Sequence, residues 1–72
     1  MPVITLKMAK GRTEAQKRVF AERVTSLAVE TLGVEKEWVT VLIDEYDREN
    51  WATAGELHSD KFGKGFGKHG TV

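Results

Sequence analysis

The fold is decided between residues 13 and 45, which read TEAQKRVFAERVTSLAVETLG and then VEKEWVTVLIDE. The first segment opens with a capping-box pattern, in which Thr13 is followed three positions later by Gln16. Gly33 is the residue type that most often ends a helix. The sequence therefore predicts a helix over residues 14–32. Its predicted inward face consists of Phe20, Val24, Leu27, Ala28 and Thr31.

Two strand patterns flank this helix. Residues 2–8, PVITLKM, alternate apolar and polar side chains, and residues 38–45, WVTVLIDE, are apolar on both faces. Strand, helix and strand in this order predict a small β-α-β unit of the α/β (α+β) class, with parallel strands and a right-handed crossover. One helix covers only one face of a two-stranded sheet. We therefore expect the chain to oligomerise through the sheet.

The C-terminal part of the chain is polar and rich in glycine. Ala54-Gly55 predicts a turn within an otherwise irregular segment, and residues 58–72 form a Gly/Lys-rich tail that we expect to be extended or partly disordered. Phe62 and Phe66 alternate with lysines there. This pattern favours a tail that covers a neighbouring subunit over a surface that stacks on single-stranded nucleic acid. The predicted division is a domain at residues 1–57 and a tail at residues 58–72.

Composition excludes several classes of protein. A chain of 72 residues is one domain at most, and 11 basic against 11 acidic residues make a nucleic-acid or membrane-surface partner a poor fit. No Cys is present, which excludes disulfide frameworks and Cys-bound metals. Because no apolar run approaches ~20 residues and no signal-peptide pattern is visible, we expect a cytoplasmic protein. A core this small also favours an oligomer.

Pro2 is the first candidate catalytic residue. An initiator methionine is usually removed when the next residue is small, and removal of Met1 would leave a secondary amine at the start of a strand. An α-amino group has a reference pKa of ~7.7–8.0, and a low dielectric or a nearby cation favours its neutral form. Such an amine is a candidate general base at neutral pH. The alternative is that Pro2 only begins the strand.

Arg12 is the second candidate. Arg12 immediately precedes the predicted start of the helix, where the partial positive charge of the helix end disfavours a cation. The arginine and the helix end together, however, form a favourable binding site for a carboxylate. The first strand runs for about six residues, or roughly 20 Å at ~3.3 Å per residue. Arg12 therefore lies at the far end of that strand from Pro2 of the same chain, and a shared site would draw them from different subunits. The alternative is a solvated loop arginine.

Four short motifs occur in an order and spacing that are typical of one family. They are MP at residues 1–2, GRT at 11–13 with QK at 16–17, VLIDE at 41–45, and Trp51 before AGEL at 54–57. Over residues 2–57 the chain resembles the 4-oxalocrotonate tautomerase (2-hydroxymuconate tautomerase) type of the tautomerase superfamily. The resemblance implies a homohexamer of β-α-β subunits, built as a trimer of dimers.

The resemblance also implies a reaction. It is the interconversion of 2-hydroxymuconate-type dienols and their keto forms, as used in aromatic degradation, with no cofactor and no metal. The implied partners are a small dienol or keto acid and further copies of this chain, with no nucleic acid and no membrane. Pro2 would carry the proton, first as base and then as acid. Arg12 would bind a substrate carboxylate from a neighbouring subunit, and Trp51 would form the apolar wall of the pocket.

Thr40 departs from the family pattern. The best-studied members carry a second arginine at this position, which polarises the substrate carbonyl. A hydroxyl brings no positive charge, and the loss of a charged donor at a developing oxyanion costs on the order of 10²–10³ in rate. Arg48 or Lys10 of a neighbouring chain are candidate replacements. Two alternatives stay open, namely related amine chemistry on another unsaturated acid and a non-catalytic oligomeric binding module.

Overall fold

The helices and strands follow the predicted β-α-β order and then continue into a hairpin and a second helix. The structure is a computed structural model that describes residues 1–63. Its elements are β1 (Val3–Ala9), α1 (Glu14–Leu32), β2 (Thr40–Tyr46), β3 (Ala52–Thr53), β4 (Glu56–Leu57) and α2 (His58–Phe62), with 3-10 turns at Lys36–Trp38 and Arg48–Asn50. No helix within residues 1–63 is both long enough and apolar enough to cross a bilayer.

Helix α1 begins and ends at the residues that the sequence predicts. The Thr13 hydroxyl accepts a hydrogen bond from the Gln16 amide at 3.1 Å, and the Gln16 side chain accepts one from the Thr13 amide at 2.9 Å. At the other end Gly33 has a φ of +66°, in the left-handed region that glycine adopts without strain, and its N–H donates to the Val29 carbonyl. The capping box and the glycine stop are both confirmed.

The predicted inward face of α1 is partly wrong. Ala28 is buried, but Phe20 and Leu27 are 39% and 56% exposed, and Thr31 is exposed as well. Two overlapping rows of side chains along α1 both have helical spacing, so periodicity alone does not show which row is buried. The prediction chose the row with the larger apolar residues, and the single chain leaves most of that row exposed. The chain instead covers a stripe of mostly small side chains. The buried or half-buried positions of α1 are Lys17, Ala21, Val24, Thr25, Ala28 and Val29.

Strands β1 and β2 form a two-stranded parallel sheet. The Thr40 amide donates to the Pro2 carbonyl at 3.0 Å, and the Lys10 amide donates to the Tyr46 carbonyl at 2.9 Å. The residue numbers of the paired positions increase in the same direction along both strands, as parallel pairing requires. β2 begins two residues later than predicted, because Trp38 lies in a 3-10 turn and not at the strand start.

Two compact units divide the chain, and β1 contributes to both. The first unit comprises residues 1–6 and 13–43, and the second comprises residues 7–12 and 44 onward. In the first unit Val3 and Leu42 are 61% and 50% exposed, whereas Ile4 and Val41 are half-buried. Ala28 is the one hydrophobic residue that the described part of the chain buries below 9% exposure. A single chain thus leaves one face of its sheet uncovered.

The second unit contains a hairpin and a short helix. Ala54 and Gly55 both have positive φ values, 56° and 81°, which is typical of the two-residue turn between β3 and β4. The predicted turn is confirmed. The prediction of extended chain is wrong for His58–Phe62, which form α2. The Arg48 guanidinium donates to the carbonyls of Phe62 and Gly63 and so caps this helix. The remainder of the predicted tail, residues 64–72, lies outside the described residues.

Candidate active site

Pro2 and Thr40 are brought side by side in the first unit. Pro2 is half-buried just before β1, and its carbonyl accepts the hydrogen bond from the amide of Thr40, the first residue of β2. The side chain of Thr40 is exposed, and Met1 is 88% exposed. The strand pairing therefore fixes the backbone of Pro2, while the residue before it stays open to solvent.

Arg12 belongs to the second unit and is half-buried. It follows Gly11, whose φ of +125° lies in a region that residues with a Cβ rarely adopt. Glycine therefore suits this position of the GRT motif, because the chain between the end of β1 and Arg12 needs a backbone conformation that other residues rarely adopt.

Trp51 also belongs to the second unit, and aromatic rings hold it on two sides. Its ring lies 5.9 Å from that of Tyr46 in an edge-to-face arrangement and 5.8 Å from the His58 imidazole at an angle of 34°. The Trp51 carbonyl accepts a hydrogen bond from the His58 amide at 2.8 Å. Such contacts restrict the rotamers of a large side chain, so the indole is held in one position.

His58 is the residue that sequence reasoning missed most clearly. The sequence gives no reason to distinguish it from an ordinary surface histidine, yet it is 7% exposed. One imidazole nitrogen lies 3.0 Å from the Thr53 hydroxyl, and the Phe62 ring packs edge-on at 5.5 Å. The feature that could have indicated its burial is its position directly after the hairpin, as the first residue of α2. His58 joins the hairpin, α2 and Trp51.

We expect His58→Ala to destabilise the fold. The change removes a buried ring that touches Trp51 and Phe62, and we expect a loss of about 2–3 kcal/mol in the free energy of unfolding. Urea denaturation at one fixed protein concentration measures it. Asp60→Ala is the matched control, because Asp60 lies exposed on the same helix and its loss is expected to change stability by less than about 0.5 kcal/mol. Equal stability of the two variants would contradict the packing role.

Both candidate replacements for the missing arginine have partners in their own chain. Arg48 is 8% exposed and its guanidinium is engaged by the carbonyls at the end of α2. The Lys10 ammonium lies 3.4 Å from the Asp47 carboxylate. For Arg48 that role is structural, whereas Lys10 as a replacement stays a prediction.

Lys7 and Tyr46 form a second group that the sequence does not single out. The Lys7 ammonium donates to the Asp44 carboxylate at 3.0 Å and to the Tyr46 hydroxyl at 3.2 Å. These contacts, with Asp44 making the larger contribution, raise the pKa of Lys7 above its ordinary value of 10.5. Beside them lies a cleft of about 290 Å³. Its lining residues are Lys7, Tyr46, Asn50, Trp51 and Ala52.

The four residues predicted for the site thus fall into two pairs. Pro2 and Thr40 lie in the first unit, and Arg12 and Trp51 lie in the second.

This chain is similar in sequence to proteins named as tautomerases. A family model for tautomerase enzymes matches residues 2–61, which includes most of α2. The probable tautomerase of Bacillus cereus is 44% identical over 61 residues, covering 85% of this chain and 100% of that protein. The 2-hydroxymuconate tautomerase of Bacillus subtilis is 43% identical over 60 residues, covering 83% and 97%.

The same similarity holds in three dimensions. The crystal structure of YwhB, a homologue of 4-oxalocrotonate tautomerase, superposes with a TM-score of 0.80 at 42% identity and covers 82% of this chain and 97% of that one. A second homologue of 4-oxalocrotonate tautomerase gives a TM-score of 0.79 at 37% identity, covering 83% and 95%. The predicted small α+β fold with parallel strands is confirmed. The chain belongs to the tautomerase family.

Proposed function

We propose that this chain is a cofactor-independent tautomerase acting on a small unsaturated 2-hydroxy or 2-oxo acid such as 2-hydroxymuconate. Pro2, freed by removal of Met1, is the general base and then the general acid. The observation that carries the proposal is the position of Pro2 in a tautomerase-family chain. It stands directly before β1, its backbone is fixed by Thr40, and the residue to be removed is 88% exposed.

The proposed chemistry moves one proton and no other group. The neutral amine of Pro2 takes the hydroxyl proton of the dienol, and the carbonyl forms as the electron pair moves along the conjugated chain. The protonated amine then returns the proton to the carbon on which the negative charge has collected. An α-amino group suits both steps because its reference pKa of ~7.7–8.0 lies near neutral pH.

A neighbouring chain completes the proposed site. Pro2 and Arg12 flank opposite ends of β1, which has seven residues and so spans roughly 20 Å at ~3.3 Å per residue. One small acid does not bridge that span. Arg12 and Trp51 of one copy would therefore meet Pro2 of another, with Arg12 on a substrate carboxylate and Trp51 as the apolar wall.

We propose a homohexamer as the assembly that brings these half-sites together. The exposed apolar residues of the first unit support an assembly, since a single chain leaves them in water. They include Val3, Leu27, Leu32 and Leu42. Whether residues 58–72 also cover a neighbouring subunit stays a prediction.

Mixing two inactive variants tests the shared site. Assayed at a substrate concentration well below KM, Pro2→Ala and Arg12→Ala are each expected to show about 1% or less of the wild-type rate. After joint unfolding and refolding, random assembly of the two chains gives about a quarter of the sites an intact Pro2 and an intact Arg12 from different copies. Activity returning toward about a quarter of the wild-type value supports the proposal. Mixtures that stay as inactive as the separate variants would place both residues in one chain.

A second substrate class is favoured by one observation, the exposed hydroxyl of Thr40 beside Pro2. Without a cation at this position the same amine chemistry fits an unsaturated acid that needs less polarisation of its carbonyl. Comparing kcat/KM for 2-hydroxymuconate with that for other unsaturated 2-oxo acids distinguishes the two classes.

A further inference from the structure

We propose that Lys7 is a substrate-binding residue, and that the cleft beside Trp51 receives the carboxylate next to the reacting carbonyl of the acid. Lys7 would thus supply the positive charge that position 40 lacks. This inference rests on the proposed function and extends it to a residue on β1.

The cleft has the shape and chemistry for one end of a planar acid. Its volume is about 290 Å³, near the lower end of the range for small-molecule sites. Tyr46 and Trp51 line it with rings set edge-to-face at 5.9 Å, so a conjugated chain meets two aromatic side chains at a steep angle to each other. Asn50 adds an amide that can donate hydrogen bonds.

Lys7 provides a permanent cation in that cleft. An ammonium has three N–H donors, and the contacts with Asp44 and Tyr46 use two of them. Because those contacts raise its pKa above 10.5, Lys7 stays charged throughout the pH range in which an α-amino group titrates. The Tyr46 hydroxyl lies between the ammonium and the ring, so the contact of Lys7 with Tyr46 is the hydrogen bond to that hydroxyl.

The ion pair with Asp44 does not prevent substrate binding. The two side chains are 62% and 47% exposed, and exposed pairs of this kind contribute little to stability, so a substrate carboxylate can compete for the ammonium. Arg48, by contrast, is buried against the end of α2.

The second unit then presents two cations. Lys7 lies in the same unit as Arg12 and Trp51. A diacid such as 2-hydroxymuconate has two anionic ends, so one unit offers a separate cation for each. Arg12 would bind the distant carboxylate and Lys7 the carboxylate beside the reacting carbonyl. The proton transfer itself stays with Pro2 of the neighbouring copy.

The test compares two lysines and two substrates. Lys7→Met is expected to lower kcat/KM for 2-hydroxymuconate about 10- to 100-fold, the usual effect of losing a hydrogen bond to a charged group. Lys7→Arg is expected to recover most of that loss. Lys36→Met is the matched control, because Lys36 is exposed and does not line the cleft. Oligomer mass and circular dichroism confirm that every variant is folded.

The second substrate is the monoacid dienol that lacks the distant carboxylate. With it, the loss caused by Lys7→Met is expected to persist, whereas the loss caused by Arg12→Ala is expected to disappear. Lys7→Met with wild-type kinetics, or a loss no larger than that of Lys36→Met, overturns the inference while the proposed function stands. A wild-type protein with no Pro2-dependent turnover on either substrate overturns the proposed function, and this inference with it.

Discussion

Replacing Pro2 with alanine is expected to lower kcat on 2-hydroxymuconate by about 10²- to 10⁴-fold, the usual contribution of a positioned general base. Alanine leaves a primary amine on a more flexible chain end, so the base is both chemically different and less well placed. The Thr40 amide still has a carbonyl at position 2 to donate to, and we therefore expect the fold to survive. Ultraviolet absorbance of the dienol follows the reaction.

The control for this variant is wild-type protein that retains Met1. There the nitrogen of Pro2 is an amide without a basic lone pair, and it is expected to be as inactive as Pro2→Ala. Intact mass separates the processed and unprocessed forms. Turnover by Pro2→Ala at the wild-type rate would contradict the assignment of Pro2 as the base.

Replacing Arg12 with alanine is expected to lower kcat/KM for the diacid by about 10²-fold, chiefly through a higher KM. A bidentate pair between a guanidinium and a carboxylate is among the stronger hydrogen-bonded contacts, and an alanine cannot replace either bond. Initial rates over a range of substrate concentrations separate KM from kcat.

Arg18→Ala is the matched control for Arg12. Arg18 also lies near the start of α1, is 59% exposed and pairs with Glu14 at 3.1 Å. Its removal takes the same charge from the chain and is expected to leave the kinetics unchanged. If the two variants lose activity equally, the effect is general electrostatics and Arg12 has no specific role.

Local signals predicted much of the fold. The capping box at Thr13, the stop at Gly33 and the turn at Ala54-Gly55 each depend on a few adjacent residues, and all three are confirmed. The stripe of α1 that the chain buries depends instead on what packs against it. Periodicity favoured the large side chains of Phe20 and Leu27, which a single chain leaves exposed.

The second unit was the hardest part to predict because its structure comes from contacts between distant positions. Helix α2 is only five residues long and is held by Arg48, 14 residues before Phe62. The burial of His58 likewise depends on rings from Trp51 and Phe62. Neither arrangement leaves a periodic pattern in the sequence.

The candidate site was predictable in its residues but not in its surroundings. Pro2, Arg12 and Trp51 stand out because of their motifs, and their roles stay predictions. The cation beside Trp51 had no motif to mark it. Lys7 reads as an ordinary polar position of an alternating strand, and only the pairing of β1 with β2 brings Asp44 and Tyr46 to it.

Proton transfer on an unsaturated acid by the free amine of Pro2 is tested by the rate of 2-hydroxymuconate ketonisation across pH. The protein used must have an intact mass that shows Met1 to be absent. We expect substantial turnover that rises with a single basic group titrating near neutral pH. No turnover from correctly processed, oligomeric protein, or a rate that does not change with pH across that range, would contradict it.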